Sequence, residues 1–258
     1  MSVAVELHLG FWSYVYLFGA AFGAGLIDAI AGGGGLITIP VLLSVGMPPQ
    51  FALGTNKLQS SFGSGSAMVH FVRRGAISLR EGLEGVLCTA IGAALGAWGV
   101  QQVDPGFLRG VIPFLLIAIA LYTLFSPRLG MEDIHPRMRP GLFYLVFGLL
   151  IGFYDGFFGP GTGSFWVIAF MLGLGFNMTK ATGFTKVMNF TSNIVSLAVF
   201  IVGGHVIWLA GIIMGIGQLL GARIGAGLVI SRGTRFVRPV FVTVALAITA
   251  KLLYDGCR

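Results

Sequence analysis

The amino-acid sequence predicts an all-α polytopic membrane protein. Of its 258 residues, 56% are hydrophobic and only 10% are charged, whereas about 25% charged residues is usual for a soluble domain. The mean hydropathy is +0.91. A composition this apolar excludes a disordered chain and a water-soluble nucleic-acid-binding domain. The formal net charge of +7 comes mostly from short loops between apolar runs, where Lys and Arg orient membrane helices.

Eight apolar segments are long enough to span a bilayer, which takes about 20 residues. They cover residues 11–31, 51–72, 82–101, 107–125, 141–158, 181–202, 206–229 and 236–254. Two further apolar stretches, 36–45 and 164–174, are too short to span alone. Because each follows a glycine-rich break, at 32–35 and 159–163, each is predicted to form a broken or re-entrant element.

The chain is predicted to be a duplicated unit. A shift of 129 residues aligns 52–125 with 181–254 without a gap and gives 17 identical pairs among 74. Upstream, a Gly-x-x-Asp motif that ends at Asp28 aligns with one that ends at Asp155. Such internal similarity indicates a structural repeat. The predicted boundaries, within one membrane domain, are 1–126 for the first repeat, 127–140 for a cytoplasmic connector and 141–258 for the second repeat.

Basic residues predict that equivalent loops lie on opposite sides of the membrane, since Lys and Arg favour the cytoplasm. Loop 73–80 holds three Arg and its partner 202–209 holds none, whereas loop 229–238 holds three and its partner 100–109 holds one. With the basic connector also inside, each half crosses an odd number of times. We therefore predict two inverted-topology repeats, each with a Gly-broken or re-entrant first element plus three transmembrane helices, and with both termini periplasmic or extracellular.

The two glycine-rich breaks are predicted to form a binding site. A helix that restarts within the membrane presents free N–H groups with partial positive charge, which suit an anion. Backbone of this kind is tolerated at membrane depth only where it is buried or lines a cavity. Tight helix packing is the alternative explanation for the glycines. The residues of the breaks predicted to bind substrate are Gly33, Gly34, Gly35, Gly161, Thr162, Gly163 and Ser164.

Two lysines at equivalent positions, Lys57 and Lys186, lie within apolar segments. A lysine at the centre of a membrane helix costs ~2.5–3.5 kcal/mol, so such residues usually face the protein interior or water. Polar residues follow each lysine at spacings of three and seven, which places them on the same helix face. The predicted substrate contacts on these faces are Asn56, Lys57, Ser60, Thr185, Lys186, Asn189 and Asn193. Snorkelling lysines, or lysines neutralised by intramembrane acids, are the alternatives.

Asp28 and Asp155 precede the breaks and are predicted to act in coupling or in a structural ion pair. Three roles stay open for them: counter-ion to a lysine, hydrogen-bond acceptor for the broken backbone, or proton carrier. Gln218 and Arg223 lie in the seventh long segment. Arg223 aligns with Ala94, so it breaks the symmetry between the halves and would make the site asymmetric; a packing or interfacial arginine is the alternative.

The sequence around both breaks resembles the sulfite exporter TauE/SafE family, also called the toluene-sulfonate uptake permeases. Four stretches carry the resemblance: DAIAGGGGLITIP at 28–40, ALGTNK at 52–57, GFYDGFFGPGTGS at 152–164 and KATGFTK at 180–186. They occur in order, in both halves. The resemblance implies a bacterial inner-membrane secondary transporter. Members are associated with sulfite, sulfonates and related organosulfur anions, and both export and uptake have been attributed to the family.

The combined expectation is an alternating-access transporter of a small sulfur-containing anion; an anion channel, or a transporter of a non-sulfur organic anion, is the alternative. No enzyme is expected, because no nucleophile and base form a convincing pair. Neither a cofactor nor a metal is expected from four scattered His and two Cys. The expected partners are the small anionic substrate and the lipid bilayer, with a coupling proton or ion and a homo-oligomer left open and no nucleic acid.

Overall fold

The structure is a computed structural model that describes residues 9–31, 34–125 and 135–232. Within these ranges the chain forms helices and no strands. In chain order they are α1 (Phe11–Ala31), α2 (Gly35–Ser44), α3 (Pro49–Arg73), α4 (Leu83–Gln101), α5 (Pro105–Phe125), α6 (Pro140–Phe157), α7 (Thr162–Gly173), α8 (Met178–Val202) and α9 (Trp208–Arg232). A 3-10 turn at Leu79–Gly82 precedes α4, and α6 contains a π-helical segment at Tyr144–Gly148.

Bilayer-length apolar helices confirm the predicted polytopic class. Among the residues that the structure describes, four stretches are long and apolar enough to cross a membrane, namely Leu79–Gln101, Pro105–Tyr122, Pro140–Phe157 and Met178–Val202. The predicted segments 11–31 and 51–72 are also helical, and α9 begins two residues after the predicted start of segment 206–229. The predicted segment 236–254 lies outside the described residues. Whether the two repeats are inverted across a membrane remains a prediction.

Both predicted breaks separate helices in the structure. The first lies between the end of α1 and the start of α2, and the second lies between α6 and α7. α2 has 10 residues and α7 has 12, so neither reaches across a bilayer alone. At the second break, Gly159 and Gly161 have φ angles of 97° and 79°, a region that glycine adopts without steric cost. Residues 32 and 33 of the first break lie outside the described part of the chain.

Other glycines allow helices to pack at close range. A methyl group on Gly96 of α4 would lie 2.1 Å from the carbonyl oxygen of Phe153 in α6, and one on Gly156 would lie 2.1 Å from that of Ala93. Between α1 and α9, a methyl group on Gly221 would lie 1.9 Å from the Phe22 oxygen. Small residues at helix crossings permit backbone contact in membrane proteins. Tight helix packing therefore explains these glycines outside the breaks, and the binding role of the break glycines stays a prediction.

The central helices α3 and α8 pack against each other and carry most of the buried polar side chains. α3 begins with Pro49 in its first turn, a position where the missing N–H has no helical partner to lose. α8 begins after Asn177, whose side chain accepts a hydrogen bond of 2.9 Å from the Lys180 N–H, as a helix N-cap does. The α3 and α8 pair thus places two polar faces inside the protein.

The loop between α8 and α9 is fixed to neighbouring helices. The Ile207 N–H donates to Thr55 Oγ1 at 3.0 Å, and His205 Nδ1 lies 2.7 Å from Gln101 Oε1. Desolvation by burial lowers the pKa of His205 below its usual value. The neutral imidazole is therefore the form that the folded protein favours.

Candidate functional site

A small polar cavity of about 40 Å³ lies where the two breaks meet. The contact between the breaks is direct, because a methyl group on Gly35 would lie 3.4 Å from Pro160 Cα. Helices α2 and α7 both begin at this cavity. The residues that line it are Asp28, Gly34, Gly35, Asn56, Lys57, Ser60, Ser64, Asp155, Gly159, Gly161, Thr162, Gly163, Asn189, Asn193 and Gln218.

Most of the predicted site residues are brought together in this cavity. Of the predicted residues that the structure describes, three do not line it: Ser164, Thr185 and Lys186. The Ser164 N–H donates to the Gly161 oxygen in the first turn of α7, and the Thr185 hydroxyl donates to the Ala181 carbonyl of its own helix at 2.8 Å. Gly33 lies outside the described residues.

Three lining residues were not among the predicted site residues: Ser64, Gly159 and Gln218. Ser64 lies seven residues after Lys57, so helical spacing carries a signal for it. Gly159 belongs to the second break. Gln218 is a single polar residue in an apolar helix, a pattern that indicates packing as readily as binding. Arg223, on the same helix, is exposed and does not line the cavity.

Lys57 and Asp155 form a buried ion pair across the two halves of the chain. Lys57 Nζ lies 2.7 Å from Asp155 Oδ1, and the two side chains are 1% and 5% exposed. The same ammonium also donates to the backbone carbonyl of Asp155 at 2.5 Å. Ser192 donates its hydroxyl to the other carboxylate oxygen of Asp155. The last turn of α6 is therefore capped by a lysine from α3.

Lys186 and Asp28 form the reciprocal pair. Lys186 Nζ lies 3.2 Å from Asp28 Oδ2, with the side chains 2% and 15% exposed, and it donates to the Asp28 carbonyl at 2.9 Å. Asp28 also accepts the Gly34 N–H at 3.3 Å, so it holds the backbone where α2 begins. Asp28 thus contacts both a lysine and the backbone of the first break, and the proton-carrier role stays a prediction.

The four charges cancel, so the site has no net charge from these side chains. Among the described residues, each lysine uses two of its three N–H donors on one aspartate, which leaves one donor. Neutral groups supply the remaining polarity. Asn56 Oδ1 accepts from the Thr38 hydroxyl at 2.7 Å, and within the described ranges the Asn56 amide nitrogen is left as a donor for the cavity. Asn189 Oδ1 is buried without a hydrogen-bond partner in the described part of the structure.

The arrangement offers hydrogen-bond donors and partial positive charge to an anion. Two helix starts direct N–H groups with partial positive charge at one small polar cavity. In the described ranges, no three His, Cys, Asp or Glu side chains form a group that could hold a metal ion. Broken helices that meet at a polar site within a bundle of bilayer-length helices are characteristic of secondary transporters.

Comparison with known proteins indicates a membrane transporter and gives its family. The chain belongs to the TauE family, described as sulfite exporter TauE/SafE, whose model matches residues 17–252. The family resemblance noted in the sequence is thereby confirmed.

Several relatives are similar along almost their whole length. The chain is 49% identical over 247 residues to the probable membrane transporter protein ORF9 of Sinorhizobium sp., covering 96% of this chain and 95% of that protein. It is 50% identical over 240 residues to the probable membrane transporter protein YfcA of Escherichia coli K12, covering 93% and 89%. A probable membrane transporter protein of Haemophilus influenzae is 49% identical over 243 residues, covering 93% and 94%. No solved structure matches the chain.

Proposed function

We propose that this membrane transporter moves a small sulfur-containing anion, such as sulfite or a sulfonate, across the bacterial inner membrane by alternating access. The observation that supports the proposal is the polar cavity onto which the starts of α2 and α7 converge. The description of the family as sulfite exporters supports the same substrate class.

The site attracts an anion mainly through neutral donors. Because Lys57 is neutralised by Asp155, the ammonium acts as a hydrogen-bond donor rather than as an unopposed positive charge. Each helix N-terminus contributes about 0.3–1 kcal/mol toward a nearby anion, and up to about 2 kcal/mol when partly buried. A site of this kind binds an anion with modest affinity and releases it again, as transport requires.

The cavity is matched to a small ion. A water molecule needs about 10–15 Å³ of cavity volume. The cavity of about 40 Å³ therefore holds roughly three water-sized groups. A pyramidal or tetrahedral oxyanion presents several acceptor oxygens in different directions. Donors that come from two opposed breaks, from α3 and from α8 fit that shape.

The proposal is tested by uptake of ³⁵S-labelled sulfite into proteoliposomes that contain the full chain. A Lys57→Met, Asp155→Asn double variant removes both buried charges and keeps the site neutral. It is expected to lose most uptake while eluting as a folded protein on size-exclusion chromatography. Lys180→Met is the matched control, because Lys180 forms only a half-exposed pair with Glu81. Equal uptake by the double variant and the control would refute the proposed site.

The same liposomes separate the alternatives. Uptake that saturates, and that is accelerated by unlabelled anion on the opposite side, indicates a carrier; a steady conductance in planar bilayers indicates a channel. Competition by carboxylates but not by sulfonates would favour a non-sulfur organic anion. A reporter fused to the C-terminus, active only in the periplasm, tests the proposed orientation with outside termini and a cytoplasmic connector.

A further inference from the structure

We propose that Gln218 contacts the substrate directly, with its side-chain amide nitrogen donating to an anion oxygen from the side of the first break. This inference rests on the proposed function. It makes the two halves of the site unequal, although their sequences align. Gln218 lies on α9 and aligns with Thr89 of α4 at the shift of 129 residues.

The amide of Gln218 is held in a fixed orientation. Gln218 is 2% exposed, and its Oε1 accepts a hydrogen bond of 2.7 Å from Gln59 Nε2. The oxygen is therefore engaged, and the amide nitrogen is directed elsewhere. A methyl group on Gly63 would lie 2.7 Å from Gln218 Nε2, and one on Gly34 would lie 3.5 Å from it. The nitrogen thus lies between α3 and the start of α2, beside the cavity.

The backbone of Gln218 is fixed as well. A methyl group on Gly25 of α1 would lie 2.2 Å from the Gln218 carbonyl oxygen, so α1 and α9 meet at this residue. Within the described residues, no acceptor is hydrogen-bonded to Gln218 Nε2. Because Gln218 lines the cavity, this amide nitrogen is available to a ligand there. A ligand oxygen in the cavity supplies the acceptor.

The equivalent place in the second half is built differently. Thr89 does not line the cavity, and its hydroxyl contacts the Met188 sulfur at 3.4 Å. Met188 is the residue that aligns with Gln59. The paired amides of the first half thus correspond to a hydroxyl and a thioether in the second, which offer no donor to the cavity.

A second pair of aligned residues also differs between the two halves. Gly63 aligns with Ser192, whose hydroxyl is used on the Asp155 carboxylate. In the first half the missing side chain of Gly63 leaves the space that the Gln218 amide occupies. The donor next to the second break is consumed within the protein, whereas the donor next to the first break is available. The bound anion is therefore expected to lie closer to the first break.

A carboxamide is an appropriate donor for this purpose, because it recognises an acceptor oxygen without adding charge to a neutral site. Replacing it by an isosteric thioether in Gln218→Met removes the donor and keeps the volume. Loss of a hydrogen bond to a charged oxygen is expected to weaken anion binding about 10- to 100-fold. Gln218→Glu keeps the shape and presents an acceptor of negative charge, so its effect is expected to be larger.

The test measures dissociation constants for ³⁵S-labelled sulfite, with methanesulfonate as competitor, on the detergent-purified full chain. Gln218→Met is compared with Thr89→Val, the matched control at the aligned position. Binding is expected to be at least tenfold weaker for Gln218→Met and unchanged for Thr89→Val. The unfolding temperature of Gln218→Met without ligand is expected not to fall in proportion to its loss of binding. Where Gln218→Met does not fold, Gln218→Glu is measured by the same criterion.

A folded Gln218 variant that binds within twofold of the unaltered protein would overturn the inference and leave the proposed function intact. Absence of sulfite and methanesulfonate binding by the unaltered protein would overturn the proposed function itself, and the inference with it. Equal weakening in Gln218→Met and Thr89→Val would also overturn the inference, because it would assign the effect to packing.

Discussion

Removing one partner of the Lys57 and Asp155 pair is expected to destabilise the protein more than removing both. At 2.7 Å and an effective dielectric constant of about 20, the direct attraction is about 6 kcal/mol, most of which offsets the cost of desolvating the two charges. Lys57→Met alone leaves the Asp155 charge buried and unpaired. Such a change costs about 3–5 kcal/mol.

The double variant Lys57→Met, Asp155→Asn removes the uncompensated charge. Replacing a buried pair by neutral groups of similar volume is often close to neutral, so we expect a coupling energy of at least about 3 kcal/mol in a double-mutant cycle. The reciprocal Lys186 and Asp28 pair is longer, and its carboxylate is 15% exposed. Its coupling energy is therefore expected to be smaller.

The measurement is reversible unfolding by sodium dodecyl sulfate in mixed micelles, with the free energy of unfolding compared for each single and double variant. A double variant as unstable as Lys57→Met would refute this reasoning. That result would show that the lysine acts by capping the Asp155 carbonyl rather than by neutralising its carboxylate.

Three further predictions follow from packing, backbone conformation and charge. Gly96→Ala should lower the unfolding temperature by forcing a methyl group against a neighbouring backbone carbonyl. Gly99→Ala, whose methyl group would have only a 3.9 Å contact, should leave the unfolding temperature unchanged or raise it. A larger decrease in Gly99→Ala than in Gly96→Ala would contradict the packing. Gly161 and Gly204 both have a positive φ. A methyl group at Gly161 would lie 2.3 Å from a neighbouring side chain, whereas one at Gly204 would meet open space. Sulfite uptake should therefore fall in Gly161→Ala and not in Gly204→Ala. Folding lowers the pKa of His205. Its contribution to stability is therefore present above its unfolded pKa of about 6.5 and is lost as pH falls through the folded pKa. His205→Gln should lose less stability on acidification than the unaltered protein, and an equal loss would contradict this.

The interrupted helices could be predicted from the sequence because their signals are local. Glycine runs at 32–35 and 159–163 adjoin apolar stretches too short to span, and the structure begins new helices at Gly35 and Thr162. Helical spacing from Lys57 also identified Ser60 as part of the polar face, and it lines the cavity. These features depend only on residues within about two turns of one another.

An ion pair was among the roles predicted for Asp28 and Asp155, but which lysine each one pairs with could not be predicted, because it depends on how distant helices cross. An alignment of the two halves makes Lys57 and Lys186 equivalent, yet only Lys57 lines the cavity. Likewise, nothing in the sequence around Gln218 shows that Gly63 leaves space for its amide. The difference arises from single substitutions between aligned positions, whose effect appears only when α3, α8 and α9 are packed together.

The crossed ion pairs also have a consequence for synthesis of the protein. Asp155 follows Lys57 by 98 residues, and Lys186 follows Asp28 by 158. When the first half leaves the ribosome and enters the bilayer, neither of its buried charges has its final partner. The buried charges of the first half therefore stay unpaired until the second half has been synthesised and inserted. Separately expressed halves should be stable only when both are made in the same cell.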